Sequence, residues 1–417
     1  MLVISKIVWY GRGMLGIRLE KSRSGRVFAL AALTFLCACK EGGSKPGGEN
    51  PPPAETARKE VLSATAACEQ TSAKAFQAAA VELETATAAL AATPDAGKRE
   101  AARAAYHRAM DAWQVIEAMQ VGPTLPRSQP GGAEFRDNIY SWPLVSRCAI
   151  EEQIVARGYE SPDFPTTLVS RRGLYAVEYL LFYEGADTAC SPGSPIVAGG
   201  TWAALPAEEL QSRKRAYAAA AAKAVRERAN QLVEAWEPGK GNFVGTLESA
   251  GPGNAVYPSV QMGLNSVSDA LFYIDKEVKD SKVARPLGLV ACEADTCPEL
   301  LESRFAGRSK ANLRANLLGF RRIVEGCGEG FAGKGFDDLM VAVGSEPLAT
   351  RMRERMVAAE AALNAIEEPD LAQALVQDKA SVRAFYDGLK GITDLLKTEV
   401  VTVLDLELPQ AVEGDND

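Results

Sequence analysis

Apolar positions recur at intervals of three and four along most of this chain, and no stretch of useful length alternates with a period of two. The pattern predicts an all-α protein. Alanine-rich segments carry the first two helices, one from about residue 55 to 92, stopped by Thr93 and Pro94, and one from about 95 to 121, ended by Gly122 and Pro123. A loop rich in Pro, Gly and Arg follows to about residue 138, and shorter helices are expected near 147–157 and 170–183, the latter with Ser170 as its N-cap. Pro206 opens a helix that reaches Trp236, and Pro238 to Gly241 break it. Further helices are expected near 256–280, 308–326, 346–367 and 370–404. So long a chain exceeds one ordinary domain, which predicts two helical bundles, 55–236 and 237–417.

The first fifty residues read differently. Lys21, Arg23 and Arg26 precede an apolar run from Val27 to Leu36, long enough for a signal peptide and too short to cross a bilayer. Leu36, Cys37, Ala38 and Cys39 resemble a bacterial lipobox, so residues 1–38 are expected to be a signal peptide, with Cys39 lipidated and 39–54 a Gly- and Pro-rich flexible tether. The alternative is an ordinary secretory signal cut near Ala38. Without residues 1–38 the chain keeps 40 Lys and Arg against 53 Asp and Glu, a net charge of −13, which argues against nucleic acid as a partner.

Six further cysteines, an even number in an exported chain, predict disulfides. Cys292 and Cys297 would close a small loop, and Cys148 with Cys190 would brace the segment around residue 178. Cys68 with Cys327 follows by elimination from fifteen possible pairings. No paired Cys-x-x-Cys spacing supports a thiol zinc site.

The sharpest chemical signal is Glu178, the single carboxylate in the apolar run from Leu174 to Tyr183. A carboxylate removed from water needs a charge partner, hydrogen bonds, a metal or a proton. Tyr175 lies three residues earlier, on the same helical face, and Glu117 follows Tyr106, Met110 and Trp113 at helical spacing. Together Glu178, Tyr175 and Glu117 offer oxygen donors to iron or another hard metal ion. A buried ion pair of Glu178 with Arg136, Arg147 or Arg172 is the structural alternative. Trp142, before Pro143, reads as an extended aromatic anchor; with Arg172 it completes the candidate ligand contacts. The single histidine, His107, reads as a surface or cap residue, so a zinc site of the usual kind is not readily built unless His107 meets Glu178, and Ser141 has no base for hydrolase chemistry. Asn312 with Asn316, and Gln261 with Asn265 and Asp269, form polar ladders that suit helix-to-helix hydrogen bonds better than ligand binding.

Gly173, Tyr175 and Glu178, followed by Tyr179, Leu180, Leu181 and Phe182, resemble the signature of imelysin-like proteins, peptidase family M75: Gly, any residue, His, two residues, Glu, then an aromatic and leucines. Tyr175 stands where that signature has histidine. Residues 139–146, 309–320 and 404–409, with Gly414, Asp415, Asn416 and Asp417 after them, are similar to the family too. The resemblance implies two helical domains of related fold with the signature facing a ligand cleft between them, and a link to iron uptake. It also implies a metallopeptidase by name, which Tyr175 weakens, because that position would bind the metal. The expectation is therefore a lipid-anchored protein of the cell envelope, in the outer membrane facing the periplasm. It would bind a metal ion, a metal chelate or a partner peptide alongside iron-uptake proteins and would not be a hydrolase. An M75-type metallopeptidase and a protein-binding envelope scaffold are the alternatives.

Overall fold

The computed structural model describes residues 53–409. The expected signal peptide, Cys39, nearly all of the tether and Gly414 to Asp417 lie outside the described residues. The first half contains α1 (Pro53–Ala92), α2 (Ala96–Glu117), α3 (Phe135–Ile139), α4 (Arg147–Ala156), α5 (Gly173–Phe182), the single turn α6 (Pro195–Ala198) and α7 (Ala207–Trp236). The second half contains α8 (Phe243–Glu248), α9 (Val260–Leu271), α10 (Ser309–Glu325), α11 (Phe336–Ala342), α12 (Glu346–Ala365), α13 (Leu371–Gln377), α14 (Lys379–Leu395) and α15 (Val401–Leu404). Among the described residues there is no strand.

Local chemistry sets the helix ends. Asp95 caps α2 by accepting from the Lys98 amide at 2.7 Å. Pro206 precedes α7, and α8, which had no counterpart in the sequence pattern, starts from Asn242. Three expected spans are corrected. The helix around Glu178 begins at Gly173, not at Ser170, which falls in a 3₁₀ turn. Gly173 has φ +79°, and a Cβ there would lie 2.6 Å from the Ile139 carbonyl oxygen, so the entry into α5 requires glycine. The span 256–280 divides into α9 and a wider turn of i→i+5 type over Ile274–Ala284, and 370–404 divides at Asp378, which caps α14.

Small side chains let the long helices approach closely. Ala57, Val61, Ala66, Ala73, Phe76, Ala80 and Leu83 form the buried stripe of α1, and Ala218, Ala221, Ala222, Val225 and Ala229 form that of α7, which packs against it. Helix α1 also packs on α2, α8, α9 and α11, so it crosses the boundary expected at residue 237. Helix α2 packs on both α5 and α10, and α12, α14 and the Ile274–Ala284 turn complete the second half. The described residues belong to one compact unit.

All three expected disulfides are present. Cys292–Cys297 closes its five-residue loop, Cys148–Cys190 ties α4 to the segment after α5, and Cys68–Cys327 joins α1 to the loop after α10 across 259 residues. Because that last bridge closes the longest loop, Cys68→Ser with Cys327→Ser is expected to lower stability by on the order of 3–5 kcal/mol in urea unfolding; a loss under about 1 kcal/mol would contradict it.

Candidate functional site

Glu178 is fully buried on α5. Its Oε1 accepts the backbone amides of Phe305 at 3.0 Å and Ala306 at 3.1 Å, and its Oε2 accepts the Tyr106 hydroxyl of α2 at 3.1 Å. One side chain thus satisfies a loop of the second half from a helix of the first. Burial raises its carboxyl to about 7, opposed by the two amides and the tyrosine. None of the three arginines expected as partners reaches it. Arg136 binds Glu117, Asp137 and the Trp142 carbonyl; Arg147 binds Glu151 and Asp187; Arg172 binds Asn138 and the Thr167 carbonyl. Tyr175 shares the Glu178 face as expected and lies beside Phe305, with ring centroids 6.3 Å apart. Burial and the neighbouring Glu178 charge push its phenol up to about 12, so it stays neutral near pH 7.

Glu117 sits in a second cluster. Its Oε1 accepts from Arg136 at 3.0–3.1 Å, and its Oε2 lies 3.6 Å from the ammonium of Lys282. Burial pushes its carboxyl up while Lys282 and Arg136 pull it down. Lys282, buried on the i→i+5 turn, also reaches Gln114 Oε1 at 2.8 Å, Asn316 Oδ1 at 2.9 Å and Glu302 Oε1 at 3.0 Å. Its ammonium lies 5.3 Å from the Tyr273 ring centroid and 5.9 Å from that of Trp142. Glu302, whose charge acts on both Glu117 and Glu178, connects the clusters electrostatically. The result is a buried polar seam between α2, α5, α10 and the 301–308 loop.

The remaining candidates divide. Trp142 belongs to the seam, whereas Arg172 holds the approach to α5. His107 is half-buried; Arg308 contacts its ring at 3.0 Å and its carbonyl at 2.9 Å, and it is not a partner of Glu178. Asn312 bonds Ser303 and Arg308, and Asn316 bonds Gln114 and Lys282, so both serve helix packing. Gln261 bonds Asn265 and the Asp405 carbonyl, and burial lifts the Asp269 carboxyl to about 6. Lys282, Glu302 and Gln114 were not visible as site residues in the sequence. A lysine at the spacing of Val278 in a buried turn was the available signal for the first; Glu302 offered none.

Glu178, Tyr175 and Glu117 do not fit a directly coordinated cation. Each oxygen of Glu178 already accepts hydrogen bonds, Tyr175 holds its proton, and Glu117 faces two cationic side chains. Among the described residues, Cys148, Glu152 and Cys190 are the one set of three His, Cys, Asp or Glu ligand atoms within 4.8 Å of one another, and both cysteines are in a disulfide. A cavity of about 430 Å³ adjoins the seam, lined by Arg136, Tyr273, Asp137, Glu277, Gln120 and the exposed Leu144. Its charged lining is three carboxylates, Glu134, Asp137 and Glu277, beside Arg136, and the rest is apolar or neutral.

The model of the family described as Imelysin (Peptidase_M75) matches residues 69–398. The protein named Iron-regulated protein A from Synechococcus elongatus is 22% identical over 330 residues, covering 78% of this chain and 81% of that protein. The crystal structure of an imelysin-like protein from Psychrobacter arcticum has a TM-score of 0.63 at 17% identity, covering 85% of this chain and 98% of its own. That of a putative iron-regulated protein A precursor from Parabacteroides distasonis has a TM-score of 0.65 at 14% identity, covering 86% and 97%. These two structures share the all-α fold expected from the sequence.

The Glu178 geometry carries a pH dependence. With its folded-state value near 7 against 4.5 unfolded, its contribution is fully present below pH 4.5 and is lost as pH rises through 7. Glu178→Gln keeps an acceptor for both amides and a donor for Tyr106. It is expected to remove on the order of 2–3 kcal/mol of stability difference between pH 4.5 and 8 in denaturant titrations. Unchanged pH profiles would refute the assignment.

Proposed function

The chain belongs to the imelysin family, and from that premise we propose that it is an exported, lipid-anchored envelope protein that binds an iron species for an uptake system and does not cleave peptides. The observation that carries the binding reading is the bonding of Glu178. The signature carboxylate holds two main-chain amides and Tyr106, with Tyr175 at the histidine position, so it is not free to activate a metal-bound water. The M75 metallopeptidase and the protein-binding scaffold remain the competing readings.

The iron assignment rests on the names of two relatives, Iron-regulated protein A and the iron-regulated protein A precursor. The envelope assignment rests on the basic and apolar leader and on Cys39, whose lipid would hold the chain at the outer membrane facing the periplasm. The ligand, a hydrated iron ion or an iron chelate, is received in the cavity at Arg136 and Tyr273. Asp137 and Glu277 supply its acidic wall, while Glu117 and Trp142 hold Arg136 from behind. Glu178 and Tyr175 fix the walls of the seam and do not bond the iron. Iron-uptake proteins of the same membrane are the expected partners.

Calorimetric titration of the purified chain with ferric citrate tests this. Heat is expected, with affinity weakened about tenfold, or 1.4 kcal/mol, in Asp137→Asn with Glu277→Gln. No heat, or heat unaltered by that pair, would sink the cavity assignment, and zinc-dependent cleavage of unfolded casein would favour the peptidase reading.

A further inference from the structure

Four oxygens from three elements surround the ammonium of Lys282: Gln114 Oε1 and Glu117 Oε2 from α2, Glu302 Oε1 from the 301–308 loop, and Asn316 Oδ1 from α10, at 2.8, 3.6, 3.0 and 2.9 Å. The hydrogen-bond network fixes both amide orientations. Gln114 Nε2 donates to Glu302 Oε1 at 3.1 Å, which turns its oxygen to Lys282. Asn316 Nδ2 donates to the Gln114 backbone and side-chain oxygens, both at 2.8 Å, which does the same for Asn316. Two neutral amide oxygens and two carboxylates are the donor set of a hard cation. The other oxygen of Glu302, and Oε2 of Glu117 beyond its ion pair, make no hydrogen bond within the protein.

We infer that Lys282 supplies, as a covalent part of the chain, the cation that this oxygen cage would otherwise take as a metal ion. Charge balance supports it. Glu117 and Glu302 are opposed by Lys282 and Arg136, so the fully buried carboxylates are balanced, with the partly exposed Asp137 on the outer side of Arg136; a metal ion added to the cage would bring in positive charge that no buried carboxylate is left to answer. The contacts below 3.1 Å are also those of an ammonium, longer than the 2.0–2.6 Å of calcium or magnesium to oxygen. Removing the lysine leaves a net negative cage with room for an oxygen-seeking cation such as potassium or calcium.

This goes beyond the iron-binding proposal, and its test contains no iron, so either can fail alone. Thermal unfolding of the full chain is followed in metal-stripped choline chloride, then with potassium chloride or calcium chloride. The wild type is expected to melt at the same temperature in all three, whereas Lys282→Ala melts lower in choline and recovers by about 5 °C with either metal salt. Adding Glu302→Gln to Lys282→Ala restores neutrality and is expected to abolish that recovery. If Lys282→Ala alone does not fold, the double variant is still expected to fold in choline. A single variant blind to both cations, a double variant no more stable than the single in choline, or a wild-type cation response abolished by Glu302→Gln would each overturn the inference.

Discussion

A charge taken out of water is costly unless it is answered within a few ångströms, and Glu117, Glu178 and Glu302 are three of the buried carboxylates, gathered where the two halves of the chain meet. Each is answered from another element: Glu178 of α5 by the 305–306 amides and a tyrosine of α2, Glu117 of α2 by Arg136 and Lys282, and Glu302 of a loop by Lys282 and Gln114. A sliding movement of the helices past one another would strand at least one of these groups, at a cost larger than that of losing ordinary apolar contacts. The alanine stripes of α1 and α7 supply much of the close packing, but they are smooth and repetitive. The polar seam is what gives the packing one register.

The three signature positions each have a structural cause in this chain. Gly173 is required by its left-handed backbone and the nearby Ile139 carbonyl, Tyr175 packs beside Phe305, and Glu178 satisfies a loop that would otherwise bury two unbonded amides. A motif that identifies the family is therefore explained here without any ligand bonded to it. Family membership rests on the match across residues 69–398, whereas the binding role is a proposal argued from the chemistry of the seam and the cavity beside it.

Much of this was legible in the residues. Period, proline and glycine positions gave the long helices to within a few residues, and the disulfides followed from one short loop, one brace around residue 178 and elimination among fifteen pairings. Glu178 announced itself because a lone carboxylate in an apolar run must be bonded to something. Its partners were not legible, since backbone amides carry no sequence identity and any residues at 305 and 306 would present them. The arginines were misjudged for a related reason: Arg136, Arg147 and Arg172 are near in sequence, but each finds a nearer carboxylate or carbonyl once α3, α4 and the turn before α5 form. Lys282 was hidden because the i→i+5 turn shifts the helical phase after Leu271, turning inward a lysine that a regular helix pattern leaves unassigned, and Glu302 was hidden because it sits on a loop with no periodicity to mark it.

That phase shift also limits what a ligand can be. The seam is formally neutral around Lys282, so a bare cation entering it meets no unbalanced charge, and an anion meets carboxylates already committed to internal partners. For the ligand proposed above, the place is the cavity at Arg136 and Tyr273, where Asp137 and Glu277 are partly exposed and an incoming group need not be stripped of its own shell. Recognition there costs less desolvation than capture inside, and it leaves the bonding of Glu178 intact. Under that proposal, substitutions in the seam act first on how the halves are joined, and substitutions in the cavity wall act first on what is held, so stability and specificity would lie on opposite sides of Arg136.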